Sequence, residues 1–392
     1  MGFTPPYMKI DKEKVEKLQK LLSNERDATY IRNYIGIPNF ERLIKESFTA
    51  YYRELIEREV KKIYGEKEIA RGVILALVME RILRGNTYLV AGPAGAGKSI
   101  FAMQFLLAGA RLGEFSVYVT YEETYDNLLK DFKNFKNWDF EKYAIYFKEF
   151  MEKAKKIIAK ILEENDRLTN FSEKDLLELF FKNEPRIRSN LKAKNIDPSK
   201  IMKRFYDELK KSLGDKRVII FSPEPIIGYE IEEYMHDKFR IYQAEDRAGF
   251  VDLTTQQIIN AFSSEESGPF ISRFVIDSIS ALIDLKLKEN RSSSISLRDV
   301  REPFINIKSS LERRGITTVL TGEALEEGKT RWGVEDFLAR GSIYLGFYEI
   351  GGTRERYIRV LKMRGVDHDR RKFGIGIDTH WGFQIWEAIL EI

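Results

Sequence analysis

Apolar residues recur along this chain in two rhythms. In residues 41–64 they fall at Leu43, Ile44, Phe48, Tyr51, Tyr52, Leu55, Ile56, Val60 and Ile63, the spacing of one helical face. A second such face runs through Phe147, Phe150, Met151, Ala154, Ile157, Ile158, Ile161 and Leu162. Elsewhere the apolar residues come in short, nearly continuous runs: Thr87–Ala91, Ser116–Tyr121, Arg217–Phe221, Arg273–Asp277, Thr317–Thr321, Ser342–Phe347 and Tyr357–Lys362. Runs of that kind suit strands buried on both faces. Their alternation with helical stretches predicts an α/β fold with a mostly parallel central sheet.

Local signals divide the chain further. Residues 11–34 read as a polar helical stretch, so 1–34 is expected to be an N-terminal helical segment ahead of a core over 35–390. Two helical insertions are predicted within that core, at about 44–79 and 142–215. In the second, Ser172 can cap a helix with Glu173 and Asp175 in its first turn, Asp197-Pro198 can start another, and Gly214 can stop it. No internal repeat is visible, which predicts one core. The run Arg291–Ser296 reads as a loop, and Met363 and the tryptophans as packing residues.

Composition narrows the chemistry. The chain has 392 residues, 43% of them hydrophobic, enough for a sizeable core. Charged residues make up 32%, above the usual figure of about 25%. Both signs contribute, and the net charge is only +4. Cysteine is absent, which excludes disulfides, thiol catalysis and Cys-ligated metals. The three histidines are too dispersed to suggest a metal centre. No leader-like or membrane-spanning apolar stretch stands out, so a cytoplasmic protein without membrane contact is expected.

The most informative stretch follows the first strand-like run. Residues 92–99 read Gly-Pro-Ala-Gly-Ala-Gly-Lys-Ser, a complete G-x-x-x-x-G-K-[ST] phosphate-binding loop. Its glycines let backbone N–H groups turn inward, and the helix beginning near Ser99 points its positive end at the phosphates. The expected nucleotide-binding set is Gly92, Pro93, Ala94, Gly95, Ala96, Gly97, Lys98, Ser99 and Ile100. Lys98 should reach the β- and γ-phosphates of ATP, and the Ser99 hydroxyl should ligate Mg²⁺. A chance glycine-rich turn is the plain alternative, but a strand precedes the loop and a helix follows it, as the motif requires.

Acidic residues complete the pattern. Asp277 ends an apolar strand, the placement of a carboxylate that holds Mg²⁺ through water. Glu122 and Glu123 directly follow another strand. Parallel strands present their C-terminal ends to one crevice, where a carboxylate can orient and deprotonate the attacking water. The plain alternative is an exposed acidic pair opening a helix.

Taken in order, these blocks resemble the KaiC-like ATPases. The resemblance lies in Ile35-Gly36-Ile37-Pro38, Gly92–Ser99, Tyr118–Glu123, Arg273–Leu282, Thr317–Glu323, Trp332–Gly341 and Lys362–His368. It implies a RecA-type P-loop fold, ATP and Mg²⁺ as ligands, ATP hydrolysis, and a homo-oligomer, a hexameric ring with nucleotide at subunit interfaces. It further implies that Lys362 and Arg364 reach the γ-phosphate of a neighbouring subunit, with His368 near that nucleotide. KaiC proper has two tandem ATPase domains and this chain reads as one, so the resemblance leaves autokinase activity open.

A regulatory or switch ATPase of this type is the expected function. The alternative is a RadA-like recombination or repair accessory ATPase acting on nucleic acid. Its local support is a basic stretch carrying Lys182, Arg186, Arg188, Lys192, Lys194, Lys200, Lys203, Arg204, Lys210 and Lys211, interleaved with Phe180, Phe181, Phe205 and Tyr206. Such residues can meet phosphates and stack on bases. They can equally be a small aromatic core under a solvated lysine surface, which is the favoured reading. The F-x-x-A match at Phe105–Ala108 falls in the helix after the loop, where core residues belong.

Overall fold

The computed structural model describes residues 32–34, 36–37, 39–44, 81–182, 185–222, 270–289, 297–380 and 382–389. Two short strands, β1 (Arg32–Tyr34) and β2 (Arg81–Leu83), pair antiparallel beside the main body. The core begins with β3 (Thr87–Gly92), the phosphate-loop helix α1 (Lys98–Arg111) and β4 (Ser116–Thr120). Helices α2 (Tyr125–Lys133) and α3 (Phe140–Tyr143) lead to β5 (Ala144–Tyr146). Four helices follow: α4 (Phe147–Glu163), α5 (Glu173–Lys182), α6 (Pro185–Ala193) and α7 (Pro198–Leu213). The sheet resumes with β6 (Val218–Phe221) and β7 (Arg273–Asp277), then α8 (Ile279–Glu289), α9 (Leu297–Arg313), β8 (Thr317–Glu326) and β9 (Lys329–Thr330). A single helical turn, α10 (Glu335–Leu338), precedes β10 (Gly341–Ile350), β11 (Thr353–Met363), β12 (Phe373–Asp378) and β13 (Gly382–Ala388).

The strand order is β13-β12-β11-β10-β3-β8-β7-β4-β6-β5, with β9 paired to β8. From β10 to β5 every neighbouring pair is parallel, while β10 to β13 form an antiparallel meander. The mixed α/β fold with a large, mostly parallel sheet is therefore the one the apolar runs predict. All six residues of β3 and all five of β4 and β7 are buried, which explains their lack of polar alternation.

The sheet separates two apolar clusters. On one side α1, Ile37, Phe40, Leu43 and the C-terminal strands pack together. Helix α1 is buried continuously from Phe101 to Ala110, which puts the F-x-x-A residues in the core. On the other side lie α8, α9 and the helices of the second insertion. That insertion is a packed unit: Phe180 stacks on Phe205 at 4.0 Å, and Tyr206 stacks on Phe270 at 5.4 Å. Its caps form as predicted, with Asp175 N donating to Ser172 Oγ and Ser199 N donating to Asp197 Oδ1.

Several expectations need correction. The helical reading of 11–34 fails at its end, because Arg32–Tyr34 finds a backbone partner in β2; residues 1–31 lie outside the described set. Ile44, the first residue assigned to an insertion, is buried and forms a β-bridge with His368. Residues 45–80 lie outside the described set. The second insertion is not wholly helical, since Ala144–Tyr146 pairs with β6 at the sheet edge. Trp138 is buried, whereas Trp386 packs one side of its ring over Gly374 and Gly376 and leaves the rest half exposed.

Candidate functional site

The parallel strands end together. Gly92 of β3 is in register with Glu323 of β8, and Thr120 of β4 with Asp277 of β7. Four strand ends thus open on one crevice, into which the loop Pro93–Gly97 and the start of α1 project. Gly97 precedes the helix with φ of +103°, and a Cβ there would come 2.7 Å from Ile377 Cδ1, so the close approach demands glycine. No side chain caps α1 and no acidic residue lies in its first turn. Its leading N–H groups are therefore left for an anion.

Lys98 donates to the carbonyl oxygens of Gly92 at 3.0 Å and Pro93 at 2.9 Å, folding back over its own loop. Burial pulls its ammonium below the ordinary range, opposed by the charges of Asp277, Glu122 and Glu323. The three carboxylates and the lysine thus share one field.

Asp277 is buried, and its two oxygens accept from the Tyr118 and Thr321 hydroxyls. Ser99 lies beside the same phenol, so Tyr118 stands between the first residues of α1 and the end of β7. Burial, then the adjacent Asp277 charge, push that phenol well above its usual range. Ser99 and Asp277 offer hard oxygen donors at one place, the donor chemistry that suits Mg²⁺.

The acidic pair is split by geometry. Both amides, Glu122 N and Glu123 N, donate to Thr120 Oγ1, which turns the chain sharply after β4. The Glu122 side chain then accepts from Ser278 Oγ, directly after Asp277. Glu122 keeps water on one side, but partial burial is the largest influence on it and raises its carboxyl; the Ser278 hydroxyl opposes that shift. Glu123 is exposed, and its backbone carbonyl accepts from Ser222 Oγ at 3.1 Å.

The other predicted residues lie elsewhere. Met363, the last residue of β11, pairs with Gly341, which pairs with Tyr88 at the start of β3. At a strand spacing of roughly 3.3 Å per residue, Lys362 therefore sits about 10 Å and Arg364 about 16 Å along the strands from Gly92, toward the opposite edge from the loop. Lys362 donates to the Asp336 carbonyl and Arg364 to the Phe337 carbonyl at 3.3 Å, both on α10. Burial, then the neighbouring Arg364, depress the Lys362 ammonium. His368 is turned to its own loop: its Nδ1 lies 3.3 Å from the Val366 carbonyl, and its buried Nε2 has no hydrogen-bond partner among the described residues.

A family model described as "ATPase: KaiC" matches residues 34–242 and 228–388. The chain belongs to the KaiC family of ATPases. Both matched stretches contribute strands to one sheet, β3 to β6 from the first and β7 to β13 from the second, so the KaiC match describes one core. Circadian clock protein KaiC3 of a Synechocystis strain is 25% identical over 303 residues, 77% of this chain and 41% of that protein. Circadian clock oscillator protein KaiC of Synechococcus elongatus is 24% identical over 299 residues, 76% of this chain and 39% of that protein. The chain thus spans about two fifths of those KaiC relatives. A solved KaiC-like protein from the archaeon Pyrococcus horikoshii has 20% identity, covers 91% of this chain and 99% of its own, and has a TM-score of 0.47.

Sequence reasoning missed Tyr118, Ser278, Thr321 and Glu323. Each is a polar residue within or just after an apolar run, the one available signal, and only the register brings them together. It also missed Arg356, whose Nε donates to the Gly95 carbonyl at 3.1 Å. Among the described residues no group of three or more His, Cys, Asp or Glu could hold a metal ion, and no helix is long and apolar enough to cross a membrane.

Proposed function

We propose that this KaiC-family protein binds ATP with Mg²⁺ in the crevice of Gly92–Ser99 and hydrolyses it to ADP and phosphate. The observation that carries this reading is the convergence of an uncapped helix N-terminus, Lys98 and the carboxylates of Glu122, Asp277 and Glu323 on one sheet edge. The loop amides and Lys98 would hold the phosphates, and Ile100 would lie in the first turn behind them. Ser99 and Asp277 would hold Mg²⁺, which when bound neutralises charge on the β- and γ-phosphates.

Glu122 would position the attacking water. Partial burial raises its carboxyl, which makes it a stronger base than an ordinary glutamate. The water oxygen forms a new bond to the γ-phosphorus, its proton passes to Glu122, and the bond to the β,γ-bridging oxygen breaks with its electron pair on ADP. Glu123, likewise exposed but without a hydroxyl partner like Ser278 among the described residues, would contribute less.

Lys362 and Arg364 would act on a neighbouring copy. Their position on the edge away from their own loop supports a head-to-tail arrangement in which cations from one subunit approach the nucleotide of the next. A hexameric ring is the arrangement that KaiC resemblance implies, with His368 at the same interface. The buried ring stacking of Phe180, Phe205 and Tyr206 favours this ATPase reading over a nucleic-acid accessory role, because those aromatics are occupied as core.

The test is to mix the purified protein with MgATP and measure binding calorimetrically and phosphate release over time. Saturable binding with release of phosphate is expected. Absence of both would contradict the reading.

A further inference from the structure

Helix α1 carries a polar side chain that the chemistry above does not use. Gln104 lies six residues after Lys98 and is only 2% exposed. Its amide is engaged on both ends. Nε2 donates to the Gly36 carbonyl at 2.9 Å and to the Phe383 carbonyl at 3.1 Å, and Oε1 accepts from Phe383 N at 2.9 Å. The two bonds to Phe383 reproduce the donor and acceptor pair that a neighbouring strand would offer, on the outer side of the edge strand β13. Asn39 adds a further bond to that edge, with Nδ2 donating to the Ile385 carbonyl at 2.7 Å.

The clamped strand bears directly on the phosphate loop. Phe383 meets Phe101 edge to face at 5.5 Å, one turn into α1. A Cβ placed on Gly97 would touch Ile377 at 2.7 Å and the Phe383 ring at 3.5 Å, so β12 and β13 lie against the residue that sets the loop's last turn. The turn between these strands is tied down as well, with Lys136 N donating to the Thr379 carbonyl at 2.8 Å. The entry segment is fixed by the same amide: Gly36 has φ of +75°, and a Cβ there would meet Ala108 Cβ at 2.3 Å.

We propose that Gln104 is a positioning residue for phosphate binding, holding the β12–β13 hairpin against Gly97 so that the loop's N–H groups keep their inward aim. The inference rests on the nucleotide reading of the crevice. Its logic is that the buried amide is satisfied only when α1, Gly36 and Phe383 are together. An apolar replacement leaves Phe383 N and two carbonyls without partners in the interior, and the hairpin must shift to find water. The loop amides serve bound substrate and transition state alike, so the loss should fall on affinity rather than on turnover at saturation.

The experiment measures MgATP binding and steady-state hydrolysis for the unaltered protein, Gln104→Met, Asn39→Ala and Phe205→Leu. Phe205→Leu loosens the insertion core far from the hairpin and serves as the control for lost stability. Gln104→Met should weaken MgATP binding roughly tenfold or more, about the weight of one or two buried hydrogen bonds. KM should rise in parallel, with kcat at saturating ATP little changed. Asn39→Ala, which loses one bond on the same edge and stays testable should Gln104→Met not fold, should weaken binding in the same direction by less. Phe205→Leu should lower Tm and leave affinity unchanged. Unchanged affinity in the folded Gln104 or Asn39 variant would overturn the inference while leaving the site reading intact. An unaltered protein that binds no MgATP would overturn the site reading, and this inference with it.

Discussion

The two edges of the sheet treat their charges differently. In the crevice the cation Lys98 shares its field with Asp277, Glu122 and Glu323, and hydroxyls of Tyr118, Thr321 and Ser278 hold the carboxylates in place. At the opposite edge Lys362 and Arg364 rest on neutral carbonyls of a single helical turn, α10, and neither forms an ion pair among the described residues. Helix carbonyls at a C-terminal end attract cations, but only weakly compared with an anion. Burial, then the neighbouring Arg364, lower the Lys362 ammonium, and the Asp336 charge opposes them only in part. One edge therefore gathers a cation and three carboxylates within a single chain. The other is a pair of cations with no ion pair among the described residues, and in the proposed reading a neighbour's phosphate would meet them.

The largest effect that separates the two edges is expected from Arg364→Ala. A cation supplied in trans contributes on the order of a thousandfold to phosphoryl transfer, so hydrolysis should fall to near background. Binding of ATP to the crevice should persist. Mixing Arg364→Ala with Lys98→Ala should restore part of the rate, because some interfaces then pair an intact loop with an intact cation. Wild-type turnover by Arg364→Ala, or by a dilute monomer, would reduce the opposite edge to surface charge.

Next comes the acidic pair. Glu122→Gln should slow turnover by about a hundredfold or more, the usual weight of a general base, with Glu123→Gln slower by less. The rate of the unaltered protein should rise with pH through an acid limb set above the ordinary glutamate range, and Glu122→Gln should lose that limb. The same shift acts on stability with a definite sign. A carboxyl whose folded-state value is raised holds its proton longer in the folded state than in the unfolded one, so stability falls as pH rises from the ordinary value through the raised one. Glu122→Gln removes that penalty, and its Tm at neutral pH should match or slightly exceed that of the unaltered protein. A Tm loss equal to the activity loss would point to misfolding in place of a lost base.

The smallest effect is expected on the insertion. Lys200, Lys203 and Lys210 are exposed on α7, while Phe180, Phe205 and Tyr206 are buried. Replacing the three lysines by serine should leave ATP hydrolysis within about twofold, as surface changes usually do. No tight oligonucleotide complex is expected at moderate salt. A tight complex that weakens steeply with salt and disappears in this variant would reverse the reading, since counterion release marks phosphate contact.

What was legible in the chain follows from the range over which each signal acts. The loop Gly92–Ser99, the strand-ending Asp277 and the insertion's helical face are local patterns, and each lies where its pattern places it. Tyr118 and Thr321 were not legible, because they look like ordinary members of apolar strands until the register sets both against Asp277. The strands β12 and β13 also escaped notice: FGIGID alternates apolar residues with glycine, and Gly374 and Gly376 leave room for Trp386 to lie across the strand. β5 is three residues long and depends on β6 for its existence. Lys362 and Arg364 carried no local pattern, and only resemblance singled them out.

The central claim is that the crevice hydrolyses ATP, and Lys98 is its most direct probe. Phosphate release should be followed for the unaltered protein and Lys98→Ala, side by side, at saturating MgATP, with circular dichroism to establish that both are folded. The account predicts release from the first and at least a hundredfold less from the second, since a preorganised charge on the transferring group is worth about that much or more. Equal rates from two folded proteins would contradict it.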